Sequence, residues 1–275
     1  MQFLYPSLTT KAITFSYDDG IEQDRRVVET LNKYELKATF NVSSGLLDET
    51  EHWQTEGVVV PRLKSKDVEA VYEHHEVACH SLTHPFLSNL EYHEKVQEIL
   101  KDKMNLELLL QRNIEGMAYP FGQVDDEMIG IMKAAGLKYG RCCNDTHKFS
   151  LPNDVYRLQP TAHHDNAQMF ELIETYQKLQ QCELSMFYVW GHGYEFDVNQ
   201  NWEHFDAICA KLSAIKDAWV CTNAEWINYL DAIKLVRVSN NIVTNASMQT
   251  IYFKYQEKIY ELRGGEHITL SCTSN

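Results

Sequence analysis

The chain has 275 residues, enough for one large domain with a full core, with or without a small appendage. Hydrophobic residues make up 44% and charged residues 23%, an ordinary globular balance, and 12 Gly with 6 Pro exclude fibrous and low-complexity readings. With 25 Lys and Arg against 39 Asp and Glu the formal net charge is −14, and no basic stripe is there to grip a phosphate backbone, so nucleic acid is not an expected partner.

The opening Met1-Gln2-Phe3-Leu4-Tyr5-Pro6 lacks a basic start and a long apolar run. No signal peptide is therefore expected, and the expected location is cytoplasmic. No apolar run reaches the roughly 18 residues of a membrane span. The seven Cys, at 79, 142, 143, 182, 209, 221 and 272, are odd in number and hold no C-x-x-C pair, which reads as free thiols in a reducing compartment.

Ala12-Ile13-Thr14-Phe15-Ser16 is a β-type run that ends at Asp18-Asp19-Gly20. Residues 23–34 follow as an amphipathic helix with Val27, Val28 and Leu31 on one face, and 38–42 is the next strand. A helix over 66–75, including a solvated His74-His75, leads to a strand at 76–79. Residues 92–110 form a long helix and 117–119 a strand, and the helix over 125–135 is stopped by Gly136. A helix over 167–182, a strand over 185–190, a helix over 202–215, a strand over 219–221 and a short helix over 224–230 complete the alternation. Such alternation argues a parallel sheet or barrel with its chemistry at the C-terminal strand ends. After residue 233 the pattern changes to strands and turns: 235–238, a turn at 239–241, 249–255, 258–262 and 267–270. Two units are expected, 1–233 and a small antiparallel β appendage over 234–275.

Four stretches carry residues of catalytic type. Asp18 and Asp19 are adjacent carboxylates at a strand end, tolerable if a cation holds one and the other accepts a proton, although Asp-Gly is also ordinary turn chemistry. His80-Ser81-Leu82-Thr83-His84 places two imidazoles at i and i+4, on one face of a helical turn, where they can converge on a metal at about 2.1 Å; two incidental His at a helix start is the alternative. Tyr119-Pro120-Phe121-Gly122 is a rigid turn that can present backbone N–H groups, or serve as a turn and nothing more. His192, in Trp190-Gly191-His192-Gly193-Tyr194, has a side chain suited to proton transfer near neutrality, or is a half-buried structural imidazole. His163-His164-Asp165 is a further cluster, either lining a groove or forming a polar loop.

The order of these stretches resembles the polysaccharide deacetylase family, the NodB-homology or family-four carbohydrate esterases, over residues 12–230. The family's usual T-F-D-D-G stands here as Thr14-Phe15-Ser16-Tyr17-Asp18-Asp19-Gly20, and its His-[Ser/Thr]-x-x-His is matched in full. The resemblance implies an α/β fold, a distorted (β/α) barrel of the NodB-homology type. It implies a metal-dependent hydrolase that removes N-acetyl groups from an acetylated sugar or oligosaccharide. Asp18 matches the general base and His192 the general acid. Asp19, His80 and His84 match the ligands of one divalent metal ion, commonly zinc. Phe121 matches the residue whose N–H helps hold the oxyanion. The aromatics Tyr119, Phe121, Trp190 and Tyr194 themselves suggest a sugar-stacking surface, although aromatics near a strand end are often core.

Two features depart from the family pattern. The third motif in many members begins with an Arg that pairs with the catalytic Asp, whereas Met117-Ala118-Tyr119 holds none. Without a substitute, such as Arg141 or Arg157, the Asp18 carboxyl is expected at a higher pKa. The family's Asp-Trp pair is also missing as a dipeptide; Asp145 and Asp154 lie in the right interval with no Trp beside them. Alternative readings are hydrolysis of another amide or of an O-acetyl ester, or a non-catalytic glycan-binding relative.

Overall fold

The computed structural model describes residues 1–180 and 182–270. In chain order the first half runs β1 (Gln2–Leu4), β2 (Lys11–Asp18), α1 (Asp24–Lys33), β3 (Ala38–Val42), β4 (Trp53–Thr55), β5 (Val58–Val60), α2 (Val68–Val71), β6 (Glu76–Cys79), α3 (Tyr92–Leu110), β7 (Gly116–Ala118), α4 (Asp126–Ala134) and β8 (Tyr139–Arg141). The second half runs β9 (Ala162–His163), α5 (Met169–Lys178), β10 (Ser185–His192), α6 (Glu195–Val198), α7 (Trp202–Ser213), β11 (Ala218–Val220), α8 (Asn223–Lys234), β12 (Val236–Ser239), β13 (Ile242–Asn245), β14 (Ile251–Tyr255), β15 (Lys258–Leu262) and β16 (His267–Thr269).

Eight strands form one parallel sheet in the order β8-β7-β6-β3-β2-β10-β9, with β11 also paired to the start of β2. The sheet curls into a half-barrel, the distorted (β/α) barrel anticipated from the sequence. β2 is buried at all of its positions, as a parallel strand covered on both faces must be. Its register with β10 sets Asp18 directly beside His192. Asp18, His80, Tyr119, Arg141 and His192 all lie at or just after the C-terminal ends of their strands, so the curl gathers them at one mouth.

The helices follow from their sequences. α1 buries Val27, Val28 and Leu31 and exposes its charges. α3 starts at a capping box between Glu91 and Glu94 and stops where Gln111 turns left-handed. Gly20, at φ +65°, ends the first motif where a Cβ would meet Val42 Cγ1 at 2.9 Å, so only glycine fits.

Several expectations are corrected. The helix over 66–75 is a 3₁₀ turn at Ser65–Asp67 plus the single turn of α2. His75 is buried rather than solvated: its Nδ1 accepts the Ala38 N–H at 3.1 Å, while His74 stays exposed. The hairpin β4–β5 was not expected; Glu56 and Gly57 turn it with two positive φ angles, 49° and 82°. The three-residue strand β8 was not expected either. The last helix runs over Asn223–Lys234, longer than expected, and Thr222 and Glu225 cap its start reciprocally.

Beyond α8 the described residues form β12-β13-β16 and β1-β14-β15, both antiparallel. The N-terminal β1 thus sits in a sheet with the appendage strands, Phe3 opposite Phe253. Gln181, in the expected helix over 167–182, and residues 271–275, with Cys272, lie outside the described residues. Among the described residues the other six Cys are unpaired, and no helix is long and apolar enough to cross a membrane.

Candidate active site

A cavity of about 400 Å³ opens at the mouth of the half-barrel. All eight residues singled out from the sequence line it: Asp18, Asp19, His80, His84, Tyr119, Phe121, Trp190 and His192. Pockets of this size suit a small ligand.

Asp19, His80 and His84 each offer a ligand atom, all within 4.8 Å of one another. The loop from His80 to His84 is not the helical turn expected, because Ser81 and His84 both adopt left-handed φ, 61° and 56°. The imidazoles converge all the same, with ring centres 4.7 Å apart. His80 Nδ1 donates to the Ala118 carbonyl at 2.9 Å, which fixes the proton on Nδ1 and leaves Nε2 as a lone-pair donor. Burial pushes the His80 pKa down to about 4, despite the nearby Asp18 carboxylate, so the ring is neutral as a ligand must be. The His80 N–H and the Ser44 N–H both donate to the Asp102 carboxylate of α3, at 2.9 and 2.8 Å. Two imidazoles and one carboxylate make a donor set that suits zinc and leaves coordination positions open.

Asp19 itself has φ 90°, and Phe121 has φ 58°. Non-glycine residues held there store strain, and three of them, Asp19, His84 and Phe121, line this cavity. Arg62 donates to the Asp19 carbonyl at 2.6 Å and lies 3.2 Å from its Oδ1. Burial acts to raise the Asp19 pKa, but His192, His80, Arg62 and His84 outweigh it and hold the carboxyl below its ordinary value.

Asp18 has a separate set of partners. Arg141 pairs with both carboxylate oxygens, and Asn41 Nδ2 donates to Oδ1 at 2.8 Å. Arg141, at the end of β8, therefore supplies the charge that the third motif lacks; Arg157 is committed instead to Asp154 and Asp126 on the surface. The higher Asp18 pKa expected without a substitute does not arise: burial acts upward, but Arg141, His80 and His192 bring it down to about 2. Asp18 is thus ionised and buried, a base held next to the ligand triad.

His192 Nε2 lies 3.8 Å from Asp18 Oδ2. Its Nδ1 is 3.1 Å from Glu195 Oε2, and its N–H donates to that oxygen at 2.8 Å. Burial acts downward, but the Glu195 hydrogen bond and charge, with Asp19 and Asp18, lift the His192 pKa to about 9. The ring is protonated at neutral pH in the metal-free protein, as a general acid requires.

The remaining expected residues divide. Trp190 Nε1 donates to Asp145 Oδ1 at 2.9 Å, so an Asp–Trp pair exists in space though not in sequence. The Trp190 ring also receives the Arg141 guanidinium 5.1 Å from its centre. Phe121 is exposed and stacked on Phe86, with centroids 3.7 Å apart and planes 8° from parallel. Tyr119 is corrected from a stacking platform to a wall: it is 1% exposed and its hydroxyl donates to the Tyr156 carbonyl. His163 and His164 do approach the site, His163 through Glu195. Sequence reasoning missed Trp53 and Arg62, which the β4–β5 hairpin and the turn after it bring to the cavity. Trp53 meets Tyr194 edge to face at 4.9 Å. No spacing signal marks either residue.

The polysaccharide deacetylase family model matches residues 6–140, which bears out the resemblance read from the motifs. Over 156 residues the chain is 26% identical to poly-beta-1,6-N-acetyl-D-glucosamine N-deacetylase of Staphylococcus aureus, covering 53% of this chain and 52% of that protein. The chain thus spans about half the length of the curated relatives it matches. A family-four carbohydrate esterase pseudoenzyme from Bacillus anthracis superposes with a TM-score of 0.53 at 19% identity, covering 82% of this chain and 68% of that one. A family 4 carbohydrate esterase from Streptomyces lividans in complex with acetate gives 0.51 at 13% identity, over 77% and 92%. These two likenesses show a shared fold.

Proposed function

We propose that this chain, which the polysaccharide deacetylase family model matches over residues 6–140, is a metal-dependent hydrolase that removes N-acetyl groups from an acetylated carbohydrate. The observation that carries the reading is the division of labour at one cavity. Asp19, His80 and His84 offer a ligand set, while Asp18 and His192, each with its own partner, flank it.

Asp19, His80 and His84 would hold a divalent ion, most often zinc for such donors, which would supply Lewis acidity for the acetamide carbonyl and for a water. Asp18 would accept the proton of the attacking water as the water's oxygen bonds to the carbonyl carbon. The Phe121 N–H supports the oxyanion, a contact that strengthens in the transition state. His192 gives its proton to the amide nitrogen as the C–N bond breaks, so acetate and a free amine leave. An amine departs poorly unless protonated, which is why a cationic imidazole belongs here. The exposed Phe86–Phe121 stack and the Trp53–Tyr194 pair at the cavity suit the apolar face of a pyranose ring.

Arg141 beside Asp18 favours catalysis over a purely glycan-binding role, since a binder has no use for an ionised, buried base. The test is product analysis. Acetate and amine should appear together from N-acetylglucosamine oligomers, including the β-1,6-linked polymer. Acetate from acetylated xylan alone, or ammonia from small amides alone, would move the assignment to O-deacetylation or to another amide. Glycan affinity with no product at all would favour the binding role.

A further inference from the structure

We propose that Glu195 is the positioning residue of the proposed general acid: its carboxylate holds His192 through Nδ1–H, turns Nε2 into the cavity, and is itself held by His163. The inference rests on the deacetylase reading for its consequence in rate, and on geometry for the pairing.

One oxygen, Glu195 Oε2, takes the His192 N–H at 2.8 Å and lies 3.1 Å from both His192 Nδ1 and His163 Nε2. The direction of these bonds follows from the far side of His163. Its Nδ1 accepts the Asp165 N–H at 3.2 Å, so that nitrogen carries no proton in the neutral ring and Nε2–H is the donor. An ionised carboxylate only accepts, so His192 Nδ1 also carries a proton. Nε2 is then the atom left to exchange protons with the cavity, and it lies 3.8 Å from Asp18 Oδ2.

The local fold enforces this arrangement. Glu195 opens the single turn of α6, three residues after His192, and its side chain folds back onto the His192 N–H. Gly191 makes room behind it, since a Cβ there would meet His164 Nδ1 at 2.0 Å. Asp18 and Asp19, the other carboxylates near His192, are held by other partners, Asp18 by Arg141 and Asn41 and Asp19 by Arg62.

A second metal centre is the competing use of these residues, because His163, His192 and Glu195 cluster closely, as do His163, His164 and Asp165. Most of their donor atoms are already engaged; the exception is His164, whose two ring nitrogens are buried without a hydrogen-bond partner. Glu195 Oε2 has three N–H partners and His163 Nδ1 has one. Both Asp165 oxygens accept amides, from Asn201 at 2.9 Å and Asn199 at 2.7 Å. The cluster is a hydrogen-bond relay feeding one imidazole.

The test uses the full chain loaded with zinc and labelled with ¹⁵N-histidine. Wild type should show a downfield, slowly exchanging proton on His192 Nδ1. Glu195→Gln should lose that proton signature and lower kcat by about 10–100-fold with KM little changed, the range typical of carboxylates that orient active-site histidines. Glu195→Asp, which keeps the charge, should restore part of both. His163→Asn should give a smaller fall in kcat. A Glu195→Gln protein that keeps wild-type kcat, or keeps the Nδ1 signature, would overturn the inference. Loss of the signature supports the pairing even without a known substrate. Wild-type protein that releases no acetate therefore counts against the deacetylase reading and not against Glu195.

Discussion

Asp18 and Asp19 are adjacent in sequence and face different partners. Asp19 turns left-handed and meets His84 and Arg62, while Asp18 stays in the strand and meets Arg141 and Asn41. Asp18→Asn should abolish turnover and keep the metal, because the ligand triad is untouched. It should also destabilise the fold by roughly 3–5 kcal/mol, since Arg141 is 1% exposed and would be left without its counter-charge. Asp18→Asn with Arg141→Met should recover stability in denaturant melts without recovering turnover. His75 gives a second prediction at this scale. Burial lowers its pKa to about 4 from 6.5, so on acidification the unfolded chain takes up a proton that the folded chain refuses. Stability should therefore fall as the pH drops from about 6.5 towards 4, by up to about 1.4 kcal/mol per pH unit from this group, and His75→Gln should flatten that slope. The candidate ligand and base residues could be singled out because such chemistry asks for these residue types at fixed local spacing, and the fold brings them to one cavity. Arg141 could be named only as one of two candidates, and Glu195 not at all, because a salt bridge across strands and a carboxylate folding back on a turn leave no spacing that singles them out.

Elements decide how firmly the ligands are held. His80 and His84 sit on an irregular loop, and Asp102 of α3 ties that loop to Ser44 through two backbone N–H groups. Asp102→Ala leaves both donors without a partner, each costing about 1–3 kcal/mol. Metal affinity should fall with stability in this variant, although Asp102 touches no ligand side chain; calorimetric titration with zinc checks it. Undiminished affinity would mean that the loop holds its shape without α3. Long periodic segments such as α3 and the β3 and β6 strands were readable from pattern alone, with bounds that match. The β8 strand and the β4–β5 hairpin were not read from the sequence. The i, i+4 spacing of His80 and His84 gave the right convergence for the wrong local conformation, since a tight loop with two left-handed residues also brings the rings together.

At the scale of the whole molecule, a curled parallel sheet gathers strand ends and so gathers chemistry from residues 18 to 192 into one cavity. The alternation of strands and helices made that architecture readable. The pairing of β1 with β14 was not, because nothing local says that the first strand joins a sheet built from residues more than 240 positions later. The central claim is that Asp19, His80 and His84 hold the metal on which acetate release depends. The most direct measurement is metal content and acetate release on the same preparations: purified protein, chelated protein, zinc-restored protein, and the Asp19→Ala and His80→Ala variants. Wild type should carry one zinc per chain, lose both metal and acetate release on chelation and recover both with zinc, and the two variants should show neither. Acetate release that survives chelation, or a full zinc complement in both variants, would contradict that claim.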